Sequence, residues 1–233
     1  MEDVFSDAGL VIVGGGSGSR FGGDKLMAEL AGVPLFCVTL RRLAPLFAPA
    51  CRVMAVPEAR IAEFEAAAAR TIPEIPCRFV AGGATRSESV RRGLAALPAS
   101  CRYAAIHDAA RPLADAALLR AVMAAARETG GAVPAAPVVD TLKRGDAAGR
   151  IAGTVAREGL FAVATPQCFD CGKLRAAYRA AGDLAATDDA GIMERAGYPV
   201  ALVPWTRPNP KVTYPGDVAL AAFYLAREES AEA

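Results

Sequence analysis

The stretch VIVGGGSGSRFGGDKLM, starting at Val11, places six glycines within ten positions: Gly14, Gly15, Gly16, Gly18, Gly22 and Gly23. Arg20 stands among them and Lys25 follows the last by two residues. Glycine is costly to order and packs nothing, so a bare run must be kept for close approach of something to the backbone. Successive backbone N–H groups make an anion nest, and two cations at its far end suit phosphate. A dinucleotide fingerprint fails, because the third glycine of GxGxxG falls on Phe21 counted from Gly16 and on Ser19 counted from Gly14. A P-loop fails as well, since Asp24 separates Gly23 from Lys25 and Leu26 stands where Ser or Thr belongs. A phosphate cradle of another kind remains, against the bland reading of a flexible turn.

Other reactive side chains are sparse. HDAARP holds the only histidine, His107, with Asp108 and Arg111. QCFDC holds the only CxxC, Cys168 and Cys171. A zinc site wants a second pair or nearby histidines, so reduced, packed thiols are expected here. The other four cysteines sit alone in or beside apolar segments.

The elements that must position these residues alternate. GLVIV, CRVMAV, CRFVA, YAAIHDAA and AVPAAPV read as strands. The segments after Pro34, ARIAEFEAAAAR, TRSESVRRGLAAL and DAALLRAVMAAARETGG read as helices. Thr85 with Glu88 makes a capping box, and Asp115 and Gly130 bracket the fourth helix. Repeated βαβ units predict an α/β fold, a Rossmann-like mostly parallel sheet flanked by helices. Ligands bind such sheets at the carboxyl ends of strands, where GGGSGSR, AGGATR and HDAARP all lie. The alternation breaks after Val139, and short β-like pieces there predict an inserted arm over about 138–164. Helical pattern returns in DCGKLRAAYRAAG, TDDAGIMERAG and the closing PGDVALAAFYLAREE, with PVALVPW and KVT strand-like. No low-complexity linker divides the 233 residues, which predicts a single domain, 1–233.

Bulk composition sets limits. Net charge is +1, with 53% hydrophobic and 22% charged residues, which argues against a nucleic-acid partner. No apolar run reaches the length of a membrane span, and MEDVFSDAG resembles no leader, so a cytoplasmic protein is expected.

Taken in order, GGGSGSRFG…DK, GGATRSESVRRGL, HDAARP, APVVDTLKR, TVAREGL, TPQCF, TDDAG and NPKVT resemble one family. It is the 2-C-methyl-D-erythritol 4-phosphate cytidylyltransferases, within the sugar- and alditol-phosphate nucleotidyltransferases. The resemblance runs from Val11 to the final helix. It implies attack by an acceptor phosphate oxygen on the α-phosphorus of CTP, with pyrophosphate leaving. Such chemistry needs no covalent nucleophile and no strong base, only positioned anions and stabilised charge. His107 therefore has no chemical step to perform, and a structural hydrogen bond is expected of it.

By resemblance, Arg20 and Lys25 hold the triphosphate, and Arg157 and Lys211 orient the acceptor phosphate. Gly14, Gly15, Gly16 and Gly18 admit CTP, and Gly83 and Ser89 meet base and ribose. Asp108, Arg111, Thr141 and Thr187 bind the acceptor. Arg111 and Thr141 are expected across the interface of a homodimer that exchanges its arms. Thr187 also reads as the N-cap of the helix that follows. A divalent Mg²⁺ is implied with CTP, its protein ligands undetermined. Asp108 suits either that ion or an acceptor hydroxyl.

The chain departs from the family's habit in carrying Gly14-Gly15 for Ala-Ala, Asp24 for Pro before the lysine and Leu26 for Gln after it. It also carries Ala84 where an acid is frequent. A cytidylyltransferase for ribitol 5-phosphate or another alditol phosphate is the alternative. A nucleotide-binding regulator without turnover is the remote one.

Overall fold

The computed structural model describes residues 4–15, 20–182 and 186–232. Gly16 and Gly18 lie outside the described residues. The strands are β1 (Ala8–Val13), β2 (Glu29–Leu30), β3 (Val33–Pro34), β4 (Arg52–Val56), β5 (Arg78–Ala81), β6 (Tyr103–Asp108), β7 (Gly131–Pro137), β8 (Leu142–Gly145), β9 (Ile151–Val155), β10 (Phe161–Val163), β11 (Gln167–Asp170) and β12 (Ala201–Pro204). The α-helices are α1 (Leu35–Leu43), α2 (Ile61–Thr71), α3 (Arg86–Ala96), α4 (Ala116–Thr129), α5 (Cys171–Ala181), α6 (Asp189–Arg195) and α7 (Gly216–Glu232).

β1 is an interior strand of the main sheet, and its unbroken apolar run is buried along its whole length. It pairs parallel with β4 on one side and β6 on the other, and β5 extends the sheet beyond β4. Side chains alternate across it. Leu10 and Ile12 join one buried cluster with α1 and α4, while Val11 and Val13 join a second with α3, α5 and α6. The alternating βα pattern thus yields the expected α/β sheet with helices on both faces.

The far half of the sheet is mixed. β11 enters antiparallel between β6 and β7, so β6–α4–β7 is not a neighbouring parallel pair. β10 also pairs antiparallel with β7, and β12 pairs parallel. Ala132 is opposite both Cys168 and Ala201, and Ala135 opposite both Val163 and Pro204. A strand has two edges, so β10 and β11 share one edge of β7 and β12 takes the other.

Local signals set the helix ends. Thr85 Oγ1 accepts from Glu88 N at 3.1 Å, while Glu88 Oε2 accepts from Ala84 N at 2.8 Å, a reciprocal box closing one residue earlier than usual. Asp115 caps α4, and Gly130 ends it at φ 94°. α6 is capped by Asp188, whose Oδ1 accepts from Gly191 N at 3.0 Å. The N-cap role expected of Thr187 thus belongs to its neighbour, whose carboxylate takes the N–H three residues on.

Two further expectations change. KVT is not a strand: the N–H groups of Thr213 and Tyr214 are taken by Asp217 Oδ2, at 2.7 and 2.8 Å, at the entrance to α7. The arm is the β8–β9 hairpin, a separate two-stranded sheet. It ends sooner than 164, because β10 rejoins the main sheet at Phe161.

Candidate active site

The chain runs from β1 to β4 and β5 on one side, then returns to β6 on the other. The carboxyl ends of β1 and β6 therefore form the switch point of the sheet, where a crevice is expected. Val13 is in register with Asp108 and with Ala55. Backbone bonds tie the strand ends: Gly14 N to Ala55 O at 2.8 Å, Gly82 N to Val56 O at 2.7 Å, Ala109 N to Val13 O at 3.0 Å. Above them opens a cleft of about 740 Å³, lined among others by Gly14, Gly15, Arg20, Lys25, Arg86, Asp108 and Lys211.

Gly14 and Gly15 form its floor. A Cβ on Gly14 would sit 2.9 Å from Leu26 Cδ1 and 3.1 Å from Met54 Cε, and one on Gly15 would sit 3.2 Å from Ser89 Oγ. Ser89 is buried, and its hydroxyl accepts from Gly83 N and donates to Thr85 O, both at 3.0 Å. It shapes the loop under the cleft with its bonding capacity already largely used. Gly83 lies against Glu88, where a Cβ would come within 2.2 Å of Cγ, so its bareness serves the α3 cap as directly as any ligand.

Asp108 is the electrostatic centre. Lys211 Nζ donates to Oδ2 at 2.7 Å, Arg86 Nε to Oδ1 at 3.1 Å, and Arg111 Nε lies 3.8 Å from Oδ2. Burial alone would raise this carboxyl, but the Arg86 and Lys211 cations hold it well below the usual carboxylate range. Lys25 is pushed below the ordinary lysine value by burial first, then by Lys211 and Arg20, with Asp108 opposing. Three cations thus crowd one end of the cleft, an arrangement that a polyanion would relieve.

Behind Asp108 lies a neutral network. His107 is fully buried, and burial lowers it to about 4. Its Nε2 is 3.0 Å from Arg111 O, which can only accept, so Nε2 carries the proton. Nδ1 then accepts from Thr165 Oγ1 at 3.0 Å, and the same hydroxyl accepts from Asp108 N at 3.0 Å. The structural role expected of His107 is what the geometry gives it.

The expected residues divide into two groups. Gly14, Gly15, Arg20, Lys25, Ser89, Asp108 and Lys211 converge on the cleft. Arg111 adjoins the cleft of its own chain, through Asp108 and a 2.7 Å bond from Nη1 to Asn209 O. Thr141 and Arg157 lie on the exposed arm, away from this cleft, with Arg157 donating to Val139 O. Thr187 is exposed and also apart. Arg86, Thr165 and Arg60 were not singled out from sequence. Arg86 stood in the motif GGATRSESV, and its place one residue after a helix cap at a strand end was the available signal.

Cys168 and Cys171 belong to different buried clusters on opposite faces of the sheet, so they cannot share a metal ion. All six cysteines are free thiols.

The match to known proteins decides the family. The model of the 2-C-methyl-D-erythritol 4-phosphate cytidylyltransferase family (IspD) matches residues 9–227. The chain belongs to this family. It is a CTP-dependent cytidylyltransferase, transferring a cytidylyl group to 2-C-methyl-D-erythritol 4-phosphate in isoprenoid precursor synthesis. It is 40% identical over 232 residues to the enzyme of that name from Nocardia farcinica, covering 97% of this chain and 98% of the other. It is 42% identical over 214 residues to a bifunctional IspD/IspF enzyme from Rhodospirillum rubrum, covering 91% of this chain. There it spans only 55% of the relative's length. The crystal structure of the Thermus thermophilus cytidylyltransferase matches with a TM-score of 0.75 and 33% identity, over 94% of this chain and 98% of that one. No helix among the described residues is long and apolar enough to cross a membrane.

Proposed function

We propose that this cleft performs the family's transfer with the following division of labour. The single observation that carries it is the convergence of Arg20, Lys25 and Lys211 with Asp108 at the switch point of the sheet. CTP lies over Gly14 and Gly15 with its triphosphate against Arg20 and Lys25. The acceptor occupies the Asp108 end, its phosphate drawn to Lys211. A phosphate monoester is already mostly ionised at neutral pH, so its oxygen attacks without a base. The cations then stabilise charge on the α-phosphate and the leaving pyrophosphate.

Two carboxylates line the cleft, Asp24 and Asp108, and both are already paired with cations. Among the described residues no cluster of three acidic, His or Cys side chains offers a metal cage. This set fits a Mg²⁺ ion held mainly by the oxygens of the triphosphate on which it would arrive, since both oxygens of Asp108 are already taken by Lys211 and Arg86. Bound there, the ion would supply further charge neutralisation at the reacting phosphates.

The arm gives the protein a partner. Val139 and Ile151 are 76% and 70% exposed, and Leu160, Phe161 and Val163 extend that apolar surface. A homodimer exchanging arms covers it and carries Thr141 and Arg157 to the other copy's acceptor. Six free thiols suit a reducing, cytoplasmic compartment.

The test is a pyrophosphate-release panel crossing four nucleoside triphosphates with several alditol phosphates, with Mg²⁺ present. CTP with methylerythritol phosphate should lead, and release from ribitol phosphate instead would move the acceptor assignment. Lys25→Ala should lose turnover by two orders of magnitude or about that. Parent-like turnover would remove that lysine from the mechanism.

A further inference from the structure

The charge that holds Asp108 does not end in the cleft. Arg86 gives Nε to Asp108 and places Nη1 2.8 Å from Asp189 Oδ2. One guanidinium thus bridges a carboxylate of the cleft to one that is completely buried. The second oxygen of Asp189 accepts the Tyr178 hydroxyl at 2.5 Å. Asp189 opens α6 and Tyr178 belongs to α5, and neither lines the cleft. Gln167 Oε1 accepts from the N–H groups of Asp189 and Ala190, both at 3.1 Å, which fixes the backbone beneath the carboxylate.

Asp189 stands in the first turn of α6, where a helix end favours an acid, but that role does not require complete burial against Arg86. The helix cap is supplied by Asp188. An ionised carboxylate in the core costs several kcal/mol to desolvate, and an apolar side chain there would pack at least as well. What the charge does have is a direction: it draws on one end of Arg86 while the other end holds Asp108. Without it, Arg86 would be a buried cation with Asp108 as its one remaining anion. The Asp108 carboxylate would turn toward the guanidinium and away from Lys211.

We propose that Asp189 and Tyr178 are positioning residues for the acceptor end of the site. They set the Arg86 guanidinium, and through it the orientation of Asp108 and Lys211 toward the acceptor phosphate and hydroxyls. This rests on the reading of Asp108 and Lys211 as acceptor-side groups. It adds a buried pair, contributed by the two helices after the arm, to the set of residues on which acceptor binding depends.

The experiment is steady-state kinetics on Tyr178→Phe and Asp189→Asn, with the KM for each substrate measured separately and thermal melts in parallel. Tyr178→Phe keeps the ring and removes one hydroxyl. The expected result is a rise in acceptor KM on the order of tenfold, with the KM for CTP unchanged, and a larger acceptor effect in Asp189→Asn. A purely structural pair would lower the melting temperature and reduce kcat through lost active enzyme, leaving both KM values alone. That pattern, or parent-like kinetics in Tyr178→Phe, overturns the proposal. If Asp189→Asn does not fold, Tyr178→Phe decides alone. A parent enzyme that is active, but for which Lys211→Ala leaves acceptor KM unchanged, would instead overturn the acceptor-side reading on which the pair depends.

Discussion

The carboxylate of Asp24 is paired with Arg60, not with Lys25, although Lys25 is the next residue in the chain. Arg60 is held from behind by Glu63, at 2.8 and 2.9 Å, and its guanidinium lies 4.9 Å from the centre of the Phe64 ring. The acid before the loop lysine is therefore neutralised by the start of α2. Lys25 is left to the cleft, where its neighbours Lys211 and Arg20 are cations.

Arg60→Ala should release Asp24 to pair with Lys25 and compete with the triphosphate. A partly exposed pair of this kind is worth about 1 kcal/mol, so KM for CTP should rise roughly fivefold. Asp24→Asn in the same background should restore it. If the double variant remains as weak as Arg60→Ala, the arginine acts on the nucleotide directly and the screening role is wrong.

Gly14 and Leu26 are linked in the same way. Each departs from the family's habit, and in the structure they are one feature: Leu26 fills the space that a Cβ at Gly14 would need. Gly14→Ala should overpack this floor and cost about 1–3 kcal/mol in urea unfolding. Leu26→Ala should relieve the crowding, so that the pair of substitutions costs less than the sum of the two alone. Strict additivity would show the contact to be unimportant.

The reach of the sequence follows from the range of each signal. The α3 and α4 caps and the strand ends at Val13 and Asp108 are set by residues a few positions apart, and they were legible. β11 was not placed, because nothing local in QCFD says that it enters antiparallel between β6 and β7. The Asp24–Arg60 pair spans 36 residues and Asp108–Lys211 spans 103, and ion pairs at such separation leave no periodic trace. Arg86 was hidden for a different reason. An arginine at the start of a polar helix looks like ordinary surface charge until Asp189 is known to lie beneath it.

Thr165→Val tests how Asp108 is seated. The substitution keeps the shape and removes the oxygen that accepts from Asp108 N and donates to His107 Nδ1. A buried N–H left without a partner costs about 1–3 kcal/mol, and the variant should lose that in stability. It should also lose acceptor affinity, since the backbone at Asp108 is released. Thr165→Ser, which keeps the oxygen, should retain most of both. An equal loss in the serine variant would assign the effect to packing of the methyl group.

The single histidine permits a clean pH test. His107 is lowered by burial to about 4 from an ordinary value of 6.5, so the unfolded chain takes up the proton first as pH falls. Its contribution to stability is complete above pH 6.5 and is lost as pH drops from there toward 4. The full loss amounts to about 3 kcal/mol, with a slope approaching about 1.4 kcal/mol per pH unit in the middle of the window. Ordinary carboxylates titrate mostly below pH 5, and no other histidine is present, so urea unfolding between pH 6.5 and 5.5 reports this group. His107→Asn should be less stable at pH 7 and nearly flat over that interval. A slope as steep as the parent's would show that some other group supplies the proton uptake, and His107 would then carry a charge in the folded state.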